Sequence, residues 1–176
     1  AIDIQATYSF TLGDLGNFRV NLQATQISSF MYQQDATSPL VEGVGSQNFR
    51  AGGTAPALPE WKANLTMSWN RADHSATAIV RYVDEMVYDG PQSQFLDRFE
   101  NTFRPQGLDT INAWTDMDVV YNYSGLEVFG GTTNFAVGAR NLFDREAQRA
   151  PMLAGVLAEL QDPLGRIVYL RATFEF

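Results

Sequence analysis

Cysteine is absent from the 176 residues, and histidine occurs once, at His74. The first absence removes disulfides, thiolate metal sites and thiol nucleophiles together. The second makes any Ser-His-Asp arrangement depend on His74, and no nucleophile motif accompanies it. His74 follows Asp73 in a predicted turn, where the plain reading is a solvated turn residue rather than a general base. No apolar run approaches the roughly 18 residues that a membrane-spanning helix requires. Basic residues are few: 12 against 20 acidic ones, net -8, which argues against nucleic acid or another polyanion as partner. No enzyme activity, metal or cofactor is expected from this inventory.

Alternation is what the chain has in abundance. In Trp61 to Asn70 the odd positions are Trp, Ala, Leu, Met and Trp, and the even ones are Lys, Asn, Thr, Ser and Asn. Extended, such a stretch is apolar on one face and polar on the other, whereas a helix would scatter Ala63 and Met67 away from Trp61, Leu65 and Trp69. The two tryptophans end the apolar face roughly 20 Å apart along a tilted barrel axis, and an outer-membrane barrel needs an apolar band of about 25 Å edged by aromatic girdles. The mean hydropathy of -0.19 is compatible with this, because only alternate residues of such strands face lipid.

The same period recurs along the chain. Ile2 to Leu12 alternates cleanly, turns at Gly13-Asp14-Leu15-Gly16, and returns through Phe18, Val20, Leu22 and Ala24. Residues 35 to 60, with Pro39, Pro56 and Pro59, read as a long loop. After Trp61–Asn70 come a short turn, a strand from His74 to Asp84, and a second long loop over 89 to 110. A strand over 116 to 123 is followed by a glycine-bearing connection over 124 to 133. A strand from Asn134 to Leu142 leads to a third long loop, 147 to 165, with a helical turn expected near Val156–Leu160. Arg166 to Phe176 is the last strand. Connections thus alternate short and long, so about seven antiparallel strands gather the turns at one end and the long loops at the other. Outer-membrane barrels sort their loops this way.

The expected fold is all-β: an antiparallel up-and-down transmembrane barrel segment occupying 1–176. Seven strands leave two open edges, which lipid does not tolerate. The chain opens directly in a strand pattern, and the expectation is the last portion of a larger barrel. Trp61, Trp69, Phe174 and Phe176 are candidate lipid-facing girdle residues. Arg19, Arg81, Arg140 and Arg171 fall on the polar faces of their strands, as lumen lining or as partners of acidic groups. In the second long loop, Phe95, Phe99 and Phe103 interleave with Arg98 and Arg104. Aromatic faces and guanidinium forks suit an anionic or sugar-like ligand; the plainer reading is loop packing. Asp84, Glu85, Asp89 and Asp97 form an acidic cluster without an EF-hand pattern, so a solvated loop is favoured over Ca²⁺. Gly43-Val44-Gly45 and Gly52-Gly53 sit in a Pro-rich loop and make no phosphate cradle.

Three segments carry a resemblance. Gly138 to Glu146, GARNLFDRE, resembles the NLFD segment near the end of TonB-dependent outer-membrane receptors. Ala57 to Trp69, ALPEWKANLTMSW, resembles their proline-containing lead into a late strand, and GRIVYLRATFEF resembles their last strand with its terminal phenylalanine. The resemblance implies the closing strands of a barrel of about 22, in the bacterial outer membrane. It implies partnership with outer-membrane lipid, with a plug domain and the remaining strands, and with the TonB energy-transducing complex through segments absent from this sequence. The cargo would be a small scarce nutrient: a siderophore, cobalamin, a saccharide or a peptide. Another outer-membrane barrel, porin-like, and a soluble all-β binding module are the alternatives. The soluble module requires Trp61, Leu65, Met67 and Trp69 to be buried under a second layer.

Overall fold

The computed structural model describes all residues except 49–50, 52–54, 90–108, 129, 151–154, 157 and 176. Seven long strands form one antiparallel sheet in chain order: β1 Ile2–Thr11, β2 Asn17–Gln26, β3 Trp61–Arg71, β4 His74–Val83, β5 Trp114–Val128, β6 Gly131–Arg140 and β7 Ile167–Glu175. The architecture is all-β and up-and-down. The sheet is open, because β1 and β7 each pair on one side only.

Register turns the alternation of single strands into continuous faces. In antiparallel pairs, directly opposed residues project to the same side. One row of opposed residues runs Phe10, Phe18, Trp69, Ala76, Tyr121, Val137, Leu170. The next runs Tyr8, Val20, Met67, Ala78, Val119, Ala139, Val168. Every member of both rows is apolar or aromatic across all seven strands. A one-residue slip anywhere would send a strand's apolar set to the polar face, so the pattern pins the register. Phe10 stacks on Phe18 with ring centroids 5.2 Å apart, a cross-strand pair that reinforces it.

The opposite face is joined by polar side chains. Asn21 donates to the Thr7 hydroxyl at 2.7 Å, Thr25 to Asp3 at 2.6 Å, and Arg19 to Ser9 at 3.3 Å. Among the described residues no second layer covers the apolar face. Met67 is 37 % exposed at mid-strand, and on the edge strand Val168 and Leu170 are 68 % and 74 % exposed. The small apolar cluster lies elsewhere. Met86, Tyr88 and Ile111, with Ala57 and Leu160 against them, pack the three long loops together at one end.

Two expectations need correction. The connection predicted over 124–133 is mostly strand, for β5 continues to Val128 and β6 begins at Gly131. The alternation that suggested a break is restored by a bulge: register shifts between Thr133 and Phe135, so Tyr123 and Leu126 both oppose residues of the apolar face. One extra residue, with Gly125 at φ 86°, absorbs the slip. The helical turn expected near Val156–Leu160 starts later: Gly155–Val156 form a two-residue ribbon with Arg149–Ala150, and Ala158–Leu160 make a turn. Similar ribbons tie Met31–Tyr32 to Val41–Glu42 and Met86–Val87 to Thr110–Ile111 in the other long loops. Short β pairing satisfies backbone groups within long connections that would otherwise lack partners.

Candidate functional site

The long loops leave the strands at one end, and charge converges where the third loop meets the polar face of the sheet. Alternation places Arg81 on β4 opposite Asp116 on β5, with Asp118 two residues further along the same face. The Arg81 guanidinium spans both carboxylates, Nε to Asp116 and Nη2 to Asp118, each at 2.9 Å. Asp116 is only 5 % exposed and also accepts the Trp114 indole N–H at 3.1 Å. A planar guanidinium holds its donors in a fixed fork, so it meets two carboxylates at once in a set geometry. Arg140 on β6 reaches Asp162 of the third loop at 3.2 Å.

Asn141 locks the exit of β6. It is 1 % exposed and takes φ 47°, with Asp144 at φ 55°. Asn and Asp are the non-glycine residues that best tolerate this left-handed region. The Asn141 N–H donates to Asp118 at 2.9 Å, its side-chain amide donates to the Arg145 carbonyl at 2.8 Å, and its Oδ1 accepts the Arg145 N–H at 2.9 Å. Asp144 accepts the Arg166 N–H at 2.8 Å, which ties the third loop to the start of β7. Arg145 is thereby held with its guanidinium 5.0 Å from the Trp114 ring centroid while donating to the carbonyls of Ala113 and Thr115. The NLFD segment is thus a chain-reversing clamp. Gln148, Gln161 and Asn112 extend it by amide hydrogen bonds between the second and third loops.

Beside this clamp lies a polar cavity of about 430 Å³. Lys62, Asn64, Arg81, Asp116, Arg140 and Asp162 are among its walls. Both signs of charge and several amides meet there, so the arrangement suits recognition of a small polar ligand. Among the described residues no group of three or more His, Asp or Glu side chains is placed to hold a metal ion. In the first loop, Glu42 accepts the Ser29 hydroxyl at 2.6 Å and the N–H groups of Phe30 and Val44 at 2.8 and 3.0 Å. These hydrogen bonds, the Ser29 hydroxyl foremost, lower its pKa from 4.5 to about 2. Asp35 is lowered further by the hydroxyls of Thr37 and Ser38.

The residues singled out from sequence divide clearly. Trp61 and Trp69 lie on the apolar face, half-buried, and the Trp69 indole N–H donates to the Leu15 carbonyl at 2.6 Å. Phe174 opposes Thr133 on that face. Arg19, Arg81, Arg140 and Arg171 all project to the polar face by register. Phe95, Arg98, Phe99, Phe103, Arg104 and Asp97 lie outside the described residues, as does Phe176. Asp84 accepts from the Tyr82 hydroxyl at 2.8 Å and from the Glu85 N–H. His74 differs from expectation. It begins β4 on the apolar face, half-buried, its Nδ1 hydrogen-bonded to the Tyr121 hydroxyl and its ring 4.9 Å from that of Tyr123. The alternation of β4 already placed it with Ala76 and Ala78; proximity to Asp73 obscured that. Sequence reading missed the Arg81–Asp116–Asp118 group, although the equal facing of these residues was legible once β4 and β5 were paired.

No family model matches this chain, and no curated protein or solved structure matches it either.

Proposed function

We propose that this chain is the closing part of a TonB-dependent outer-membrane receptor barrel, serving uptake of a scarce nutrient. The observation that carries the reading is the apolar face: two complete rows of seven apolar side chains with no second layer over them among the described residues. A soluble module would leave that surface in water, and contiguous apolar patches of such width are rare on soluble monomers. In lipid the same face needs no cover. Short turns at one end and long, interlocked loops at the other fit periplasmic turns and outer loops. The clamp at Asn141–Asp144 gives a structural role to the segment on which the family resemblance rests.

In this function the strands anchor the chain in lipid and line a wet lumen with the Asn, Thr and Arg ladder. Further strands complete the barrel at the free edges of β1 and β7. The polar cavity beside Arg81 and Arg140 belongs to the outer vestibule, where a small polar or anionic nutrient is held before a plug domain admits it. In this reading no described residue performs covalent chemistry. Size and secondary structure of the chain, compared in plain buffer and in detergent micelles, test the proposal. A folded β-rich chain that needs micelles supports it; a folded monomer in plain buffer refutes it.

A further inference from the structure

The apolar face is not flat. At its centre the small side chains Ala76, Ala78 and Ala139 help line an open trough of about 550 Å³, with Met67 and Trp69, Val119 and Tyr121, and Val168 around them. At the turn end, the next row outward on the same face changes character. It carries Arg71 opposite His74, His74 opposite Tyr123, with the Tyr121 hydroxyl hydrogen-bonded to His74. Arg71 is exposed, and it makes no ion pair among the described residues.

Resting on the membrane reading above, we propose that this face holds one anionic phospholipid of the inner, turn-end leaflet. Its acyl chain lies in the alanine-lined trough, and its phosphate meets the Arg71 guanidinium beside the His74–Tyr121 pair. The amphipathic order of the site commits it to this occupant. An apolar trough alone would take any hydrocarbon, and a lone surface arginine any anion. Here a cation stands one row beyond the end of an apolar channel, as phosphate stands beyond an acyl chain. Tyr121 and Tyr123 at the junction occupy the headgroup level that such side chains favour. A guanidinium also matches phosphate oxygens with paired donors.

The test uses the full chain folded in dodecyl maltoside micelles with added phosphatidylglycerol, read by native mass spectrometry after delipidating washes. The expected result is one retained phosphatidylglycerol per chain. Ala78→Phe, which fills the trough, should reduce retention at least fivefold, while Leu22→Phe, on the same face but outside the trough, should leave it unchanged. Arg71→Gln, at an exposed position, should abolish the preference for phosphatidylglycerol over an uncharged diacylglycerol of the same chains. Circular dichroism checks that each variant is folded; should Ala78→Phe fail to fold, Arg71→Gln decides. Equal retention by wild type, Ala78→Phe and Arg71→Gln overturns the proposal. Flotation with liposomes separates the two readings. A chain that floats but retains no lipid after washing refutes the seat and leaves the barrel reading standing. A chain that fails to float refutes both.

Discussion

Met67→Arg places a charge at the middle of the apolar face, and its cost is set by where that face lies. Met67 is one residue past the midpoint of the 11-residue β3, opposed by Val20 and Ala78. At about 3.4 Å per residue and a strand tilt near 40°, its side chain sits roughly 3 Å from the mid-plane of a surrounding bilayer. An arginine at that depth on a lipid face costs about 2–4 kcal/mol. With a urea m-value near 2 kcal/mol per molar, a loss of about 3 kcal/mol moves the unfolding midpoint down by roughly 1.5 M. Thr77→Arg, on the polar face between Ser68 and Val120 and diagonal to Asp118, should cost about 0.5 kcal/mol or less. The assay is urea unfolding in liposomes, followed by fluorescence. In water the same two substitutions would rank differently. Met67 is already 37 % exposed with no layer above it, so an arginine there would be tolerated and would raise solubility. Equal stability of the two variants in lipid, or a gain on Met67→Arg, refutes the assignment of the faces.

Three further outcomes follow from local geometry. Gly16→Ala should lose about 3 kcal/mol in the same unfolding assay. Gly16 has φ 98° and ψ -161°, a region essentially reserved for glycine, and an added Cβ would stand 2.4 Å from the Asn70 carbonyl oxygen. Asn141→Ala should cost about 2 kcal/mol, because alanine resists φ 47° and removes the part-buried hydrogen bonds of the Asn141 amide to the Arg145 N–H and carbonyl. Carbon-detected NMR titration of Glu42 should give a midpoint near 2, moving back toward 4.5 in Ser29→Ala. The depressed carboxylate stabilises the loop junction above pH 4.5, and that contribution is lost as pH falls through about 2. A Glu42 midpoint of 4.5 in the unsubstituted chain would remove its hydrogen bonds from the account.

Most of the sheet was legible because two-residue periodicity is a local property. Ile2 to Leu12 and Trp61 to Asn70 announce their faces, and those faces meet in register across all seven strands. The failures occur where one residue breaks the period. At Ser124-Gly125 the chain inserts a bulge, and a continuous 15-residue strand read as two pieces separated by a loop. Near Val156 the expected helical turn gives way at its start to a two-residue ribbon, and Leu160, in the turn that follows, joins the cluster shared with the neighbouring loops. Tertiary context won there, as it commonly does over propensity in short segments. At the candidate site, the polar facing of Arg81 and Arg140 could be read, but their partners could not. Asp116 lies 35 positions beyond Arg81 in sequence, so only the β4–β5 register joins them. The role of Asn141 was hidden for a different reason: left-handed backbone and buried amide bonds have no periodic signature.

On the membrane reading the alternating face of the seven strands meets hydrocarbon. Tryptophan quenching by lipids brominated on the acyl chain tests it most directly, using a Trp61→Phe, Trp114→Phe double variant that leaves Trp69 alone. Trp69 in bilayers should be quenched strongly, and more than by a water-soluble quencher such as acrylamide. Trp69 fluorescence untouched by brominated chains and freely quenched by acrylamide, in a chain that remains folded, would contradict it.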